Sequence, residues 1–191
     1  MDRIVIEKEK VLNSSLNSKS DNYFKKKYFC NLTYLHVHMK KGAVLYRGKR
    51  YQLWRIWDPS LPLVLFVLLN PSVGDATQDD PTLRRLLYFA KKFGFGGFYV
   101  GNLYAEITPY PKSLYQKHPK REKKNLGHLR DMLSHCERVV FAWGRTEPLP
   151  LWLDEMVQEP WCFGLTANGR PKHPLYLPNN TSLMPYLLRE N

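Results

Sequence analysis

The chain has 191 residues, 43% of them hydrophobic and 14% aromatic, which excludes wholesale disorder and suits one domain with a sizeable core. Twenty-nine Lys and Arg against 17 Asp and Glu give a formal net charge of +12, a balance that favours a polyanionic partner, nucleic acid before a membrane surface. No apolar run reaches the ~18 residues of a spanning helix, and Cys30, Cys136 and Cys162 lack metal-ligand spacing, so reduced thiols in a cytoplasm are expected.

Residues 1–43 are polar and without a clear period, and they contain the basic triplet Lys25–Lys27. They read as a basic extension, either poorly ordered or a short element lying on the domain, with Met39 as an alternative start. His36 and His38 alternate there, but no third ligand accompanies them and no metal site is expected. The regular domain then covers 44–191. Val44–Tyr46 and Tyr51–Trp57 predict a β-hairpin with Gly48 in its turn.

Leu63 to Leu69 are seven consecutive apolar residues, the pattern of a strand buried on both faces. Pro71 cannot join a ladder, so the strand is expected to stop at Asn70. Asp80-Pro81-Thr82 reads as a helix cap with proline at the first helical position. The helix runs to about Phe93, with Leu83, Leu86, Leu87 and Ala90 as its apolar stripe. Arg84 and Arg85 lie off that stripe, close to the Asn70 loop.

A second strand, Phe98–Leu103, ends on Gly101-Asn102-Leu103-Tyr104-Ala105. Residues 112–130 carry seven Lys and Arg against the single Glu122. Lys112, Lys117, Lys120, Arg121, Lys123 and Lys124, near Tyr110 and Tyr115, suit phosphate contact and base stacking, or else a solvated helix face. A helix around Glu122–Cys136 leads to a third buried strand, Arg138–Trp143. A helix near Leu149–Val157 and a fourth strand, Trp161–Leu165, follow. The loop from Asn168 to Pro174 is rigid and basic through Arg170 and Lys172, and Thr181 or Ser182 caps a short terminal helix. The alternation predicts an α/β fold, a three-layer α/β/α sandwich with a mainly parallel sheet preceded by the hairpin.

In an open parallel sheet, ligands bind at the carboxyl ends of strands. Asn70 and Asn102 stand at two such ends, and His173 lies in the loop beyond the fourth strand. Two amides and an imidazole suit recognition of a heterocycle by hydrogen bonds. An amide orients water but is too weak a base to deprotonate it, and a histidine can donate to a developing oxyanion. A Walker loop, a dinucleotide fingerprint, a serine elbow and a metal cluster are absent from the sequence, so neither cofactor nor metal is expected.

Residues 45–178 resemble a bacterial domain family of unknown function, through LNPS, DDPT with the following double arginine, NLYA, AWG and RPKHPLYLP. More distantly, the order of motifs is similar to the uracil-DNA glycosylase superfamily. There, LLNPS at 68–72 matches a water-positioning motif, GNLYA at 101–105 a base-reading motif and KHPLYLP at 172–178 a leaving-group loop. The resemblance implies that Asn70 positions the attacking water and Asn102 reads the base edge, with Ser72 and Tyr104 beside it. It also implies that His173 stabilises the departing base and that Leu175 fills the vacated stack. Leu175 replaces the serine of that loop and Leu69 the glycine before Asn-Pro, which alters the loops that pinch phosphate. Asp75 or Asp80 is the candidate for a true general base.

The expected function is therefore glycosylase-like hydrolysis of a flipped modified or damaged base. The alternatives are a non-catalytic nucleic-acid or nucleotide-binding module, and hydrolysis of a free nucleotide or nucleoside in the same pocket. DNA, double- or single-stranded, is the expected partner, and the protein is expected to act as a monomer. In uracil-specific relatives a tyrosine follows the motif's proline and blocks the pyrimidine C5 position. Ser72 stands there in this chain, so a bulky C5-modified pyrimidine, such as those of phage DNA, is the expected substrate. Base repair and antiviral defence are the roles this suggests.

Overall fold

The computed structural model describes residues 4–11, 38–72, 78–110, 114 and 122–187. Cys30, the triplet Lys25–Lys27 and His36 lie outside them. The elements run β1 (Ile4–Val11), β2 (His38–Tyr46), β3 (Lys49–Ile56), β4 (Leu63–Leu68), α1 (Pro81–Lys92) and β5 (Gly97–Asn102). Then come α2 (Lys123–Ser134), β6 (Arg138–Phe141), α3 (Leu151–Asp154), β7 (Trp161–Cys162), a 3₁₀ turn (Pro174–Tyr176) and β8 (Met184–Pro185).

All eight strands form one sheet in the order β1-β2-β3-β5-β4-β6-β7-β8. The expectation of a mainly parallel sheet needs correction, because the sheet is mixed. Only the central pairings β5–β4, β4–β6 and β6–β7 are parallel. The hairpin does not merely precede the sheet: β3 pairs antiparallel with β5 and carries β2 and β1 outward as further strands. Its turn places Arg47 at φ 46° and Gly48 at φ 74°, the two positive values of a type I′ turn, whose twist matches the strands it joins. Gly42 faces Trp54 across the hairpin, and a Cβ there would lie 2.0 Å from Trp54 Cζ2. Only glycine lets the indole lie flat against β2.

Two pieces of the segment read as an extension lie in the sheet: 4–11 as β1, and 38–43 as the first part of β2. The charges Glu7–Lys10 hid the first piece, yet charge is what an edge strand carries against unwanted pairing. At the other edge the expected terminal helix is instead β8, antiparallel to β7. Pro185 lacks the amide a helix needs, and Tyr186 N–H bonds to Pro160 O at 2.8 Å.

The unbroken apolar run of β4 is explained by burial on both sides. Val64, Phe66 and Leu68 enter one cluster with Leu83, Leu86 and Phe89 of α1, whereas Leu65 and Val67 enter another with Leu129 and Met132 of α2. Successive strand residues point to opposite faces, so the two clusters lie on opposite sides of the sheet. Each such side chain stabilises the fold by about 1.5–3 kcal/mol. Phe89 completes the buried stripe of α1, while Leu87 is only partly covered. Among the described residues no helix is long and apolar enough to cross a membrane.

Candidate functional site

The exits of β4 and β5 are stitched together. Leu103 N–H bonds to Leu68 O at 2.9 Å, Tyr104 N–H to Leu69 O at 2.9 Å and Thr108 N–H to Pro71 O at 3.2 Å. Beyond this seam opens a crevice of about 240 Å³ lined by Leu69, Asn70, Ser72, Asp80, Thr108 and His173, with Arg50 and Trp143 also on its wall. The strand-end logic therefore brings Asn70, Ser72, Asp80 and His173 into one cavity.

Asn70 is held in a defined orientation. Its Nδ2 donates to Pro71 O at 2.9 Å and to Thr108 O at 2.8 Å. With both amide hydrogens committed to carbonyls, the group that Asn70 has to offer is the acceptor Oδ1, which meets no donor among the described residues.

His173 is fixed in the complementary sense. Its loop is pinned by Gly144 N–H on Pro171 O at 3.0 Å and Lys172 N–H on Gly164 O at 2.9 Å. Its Nδ1 accepts from Leu175 N at 3.3 Å and so caps the 3₁₀ turn. Burial pushes the imidazole below its ordinary 6.5, with the Asp80 carboxylate pulling partly back. A neutral ring whose Nδ1 accepts carries its proton on Nε2, leaving an N–H donor.

Asp80 caps α1, its Oδ1 accepting from Leu83 N at 2.7 Å, and its Oδ2 accepts from the Ser72 hydroxyl. Both oxygens are thus engaged in holding the crevice wall, which is the helix-cap reading of Asp80 and not that of a poised base. Its neighbour Asp79 is clamped by cations. Arg55 Nε and Nη2 each lie 2.8 Å from Asp79 Oδ1, and Lys41 Nζ lies 3.1 Å from Oδ2. Burial alone would raise the Asp79 carboxyl, but the two cations outweigh it and hold the group below its ordinary value.

Asn102 is not among the residues that line the crevice; it stands opposite Leu68 in the sheet, and Leu68 does line it. It is wholly buried, and among the described residues neither Oδ1 nor Nδ2 has a partner. Its backbone is secured by Asn125 Nδ2, which donates to Asn102 O at 2.9 Å. Tyr104 does not reach the crevice: it is buried beside Asn125, on a separate cavity of about 50 Å³.

The basic residues divide. Arg85 turns inward, its guanidinium on Leu177 O and Asn179 Oδ1 and over the Phe89 ring at 4.7 Å. Arg84 is exposed and donates to Asp79 O at 2.6 Å. Lys124 lies over the Tyr46 ring at 3.8 Å, Lys123 and Lys172 are exposed, and Arg170 is half-buried. Leu175 is partly covered, whereas its neighbour Tyr176 is 88% exposed. Asp75, Lys112, Lys117, Lys120 and Arg121 lie outside the described residues. Among the described residues no group of three or more His, Cys, Asp or Glu is placed to hold a metal ion.

The sequence reading overlooked Arg50, Thr108 and Trp143. Arg50 enters because β3 runs antiparallel to β5, with Leu53 opposite Val100, so the start of β3 passes the carboxyl end of β5. There Arg50 N–H bonds to Ala105 O at 2.8 Å. A rule that inspects only the ends of parallel strands misses residues at the start of an antiparallel neighbour.

A family model described as "Protein of unknown function (DUF1643)" matches residues 50–175. The chain belongs to this family. The matched span runs from Arg50 to Leu175 and so takes in the crevice residues Asn70, Ser72, Asp80, Thr108, Trp143 and His173. No curated protein and no solved structure matches the chain.

Proposed function

We propose that the chain is a DNA-glycosylase-type hydrolase that breaks the N-glycosidic bond of a modified or damaged base flipped into the crevice. The observation that carries this reading is the complementary state of two groups on one cavity. Asn70 offers an oriented acceptor and neutral His173 an Nε2–H donor. Glycosidic cleavage by water needs that pair: an acceptor to orient the nucleophile and a donor for the charge developing on the departing base.

The buried, unsatisfied carboxamide of Asn102 is the kind of polar group that a base edge would complete. A cavity of about 240 Å³ falls below the ~300–1,000 Å³ of drug-sized ligands and suits one base. The packing of α1 and α2 on opposite faces of β4 supports a three-layer, glycosylase-like reading of the fold. DNA is the partner in this account, drawn by the net charge of +12, with Lys123, Lys124 and Lys172 among its contacts. Ser72 in place of a bulky wall admits substituents at C5 of a pyrimidine.

One observation favours a binding module without turnover. Asp80, the carboxylate among the described crevice residues, has both oxygens engaged. Incubation with duplex and single-stranded DNAs carrying uracil, thymine or a bulky C5-modified cytosine, followed by alkaline cleavage, separates the two. Abasic sites support the hydrolase, and tight binding with no strand cleavage supports the module.

A further inference from the structure

The two most exposed aromatic side chains among the described residues both adjoin the crevice. Tyr176 is 88% exposed and Tyr110 74%. Tyr110 directly follows Pro109 of the crevice lining, and Tyr176 stands three residues after His173. They come from opposite sides. The loop bearing Tyr110 leaves β5, the loop bearing Tyr176 follows β7, and β4, with Asn70 just beyond its end, lies between those strands in the sheet order.

A single exposed apolar side chain is ordinary on a protein surface, but these two rings share one crevice and each has a braced backbone. Tyr110 N–H bonds to Thr108 Oγ1 at 3.1 Å, and the following Pro111 in the sequence confines Tyr110 to extended forms. Tyr176 ends the 3₁₀ turn that His173 caps, and the next carbonyl, Leu177 O, accepts from Arg85 of α1. Lys172, next to His173, and Arg145, two residues after Trp143 of the wall, are both exposed. Aromatic rings among cations suit an unpaired strand, in which every base has a face to stack and every nucleotide a phosphate. Bases in a duplex already stack on their neighbours and offer a protein their groove edges.

We propose, on the reading of the crevice as a nucleotide site in DNA, that Tyr110 and Tyr176 form an aromatic rim that stacks on the unpaired bases to either side of the nucleotide held there. Single-stranded DNA is then the form that the protein grips.

The test measures the affinity of the full chain for three probes of equal length: an oligothymidine strand, a strand of abasic units with the same phosphates, and the thymidine strand annealed to its complement. Unmodified protein, Tyr110→Ala, Tyr176→Ala and Tyr176→Phe are compared. The oligothymidine strand is expected to bind most tightly. Each alanine weakens that binding by roughly 5- to 150-fold, the worth of one stacked base, and leaves the abasic strand unaffected. The slope of log affinity against log salt stays the same, because no charge is removed. Tyr176→Phe keeps a ring and keeps the affinity.

Equal binding of the oligothymidine and abasic strands would overturn the proposal. So would folded alanine variants that bind the oligothymidine as well as the unmodified protein, that lose equally on all three probes, or that lose on the duplex alone. Should an alanine variant fail to fold, 2-aminopurine set beside the central thymidine of the strand decides the matter with the unmodified protein. Quenching that saturates with binding supports stacking, and unchanged emission overturns it. None of these measurements reads base release. A chain that grips the strand through its rings and releases no base defeats the glycosylase reading alone, and one that releases base with both rings dispensable defeats the rim alone.

Discussion

Replacing His173 separates the cap that its ring forms from the donor role proposed for it. Its Nδ1 accepts from Leu175 N at 3.3 Å, which caps the 3₁₀ turn, and its Nε2–H is the donor offered to a ligand. His173→Asn supplies a side-chain oxygen, a favoured cap, and removes the donor; His173→Ala removes both. Loss of the cap bond costs about 0.5–1.5 kcal/mol, or a fall of roughly 2–4 °C in Tm per kcal/mol for a chain of this size. Loss of an oxyanion donor costs about 2.7–4 kcal/mol of transition-state stabilisation, a factor of roughly 10²–10³ in rate. Single-turnover excision and thermal unfolding, measured side by side, are therefore expected to diverge. His173→Asn keeps its Tm and loses the rate, and His173→Ala loses some of each with DNA affinity nearly unchanged.

The pH profile adds a sign. The folded imidazole lies below its ordinary 6.5 because it is buried. Its stabilising contribution is then complete above the unfolded value and is lost as pH falls through the lower folded one. In the proposed reaction the neutral ring is the working form, so the excision rate is expected to be level above pH 6.5 and to drop only at lower pH. An unaltered rate in His173→Ala, or a rate that climbs as the ring becomes protonated, would refute this reasoning.

Asn102→Leu removes a buried amide with no partner among the described residues and is expected to stabilise the fold by about 1–3 kcal/mol while lowering kcat/KM. A drop in both quantities in thermal melts and kinetics would show that the amide is structural. Asp79→Asn leaves Arg55, 1% exposed at its side chain, without its carboxylate and is expected to cost about 3–5 kcal/mol. The intact clamp is fully present above the ordinary carboxylate value and is lost as pH falls through the lower folded one, so an acid titration monitored by circular dichroism should separate the two proteins between neutral and mildly acid pH and bring them together only at strongly acid pH. Ser72→Tyr fills the wall between Asn70 and Asp80 and is expected to abolish excision of large C5-modified pyrimidines while sparing uracil; equal loss of both would mean that it merely disrupts the Asp80 cap.

The parts of the fold that were legible in the sequence are those where one local force decides. The apolar run Leu63–Leu69 demanded burial on both faces, and the Asp80-Pro81 pair announced its helix because the cap bond and the fixed φ of proline act within four residues. The Arg47-Gly48 turn was legible for the same reason. Strand pairing at the edges was not, since β1 reaches β2 across 26 residues and its sequence, with four charged residues in a row, shows no apolar alternation. Within the site, Asn70 was readable as a strand-end residue and His173 as part of the loop beyond the fourth strand. Their working states were not: these depend on Thr108 O and Leu175 N, contacts that no spacing reveals. Tyr104 was not legible in the same way, because it lies two residues past the end of β5, where strand alternation no longer sets its direction, and it lines the cavity beside Asn125.

The central claim is that water cleaves a glycosidic bond in this crevice. Mass spectrometry of the small molecules released from DNA carrying a bulky C5-modified cytosine tests it most directly. The account predicts the intact free base in solution, matched mole for mole by an abasic site in the strand, and lost in Asn70→Ala. Release of a nucleoside or nucleotide, or no release from any modified DNA that the protein binds, would contradict it.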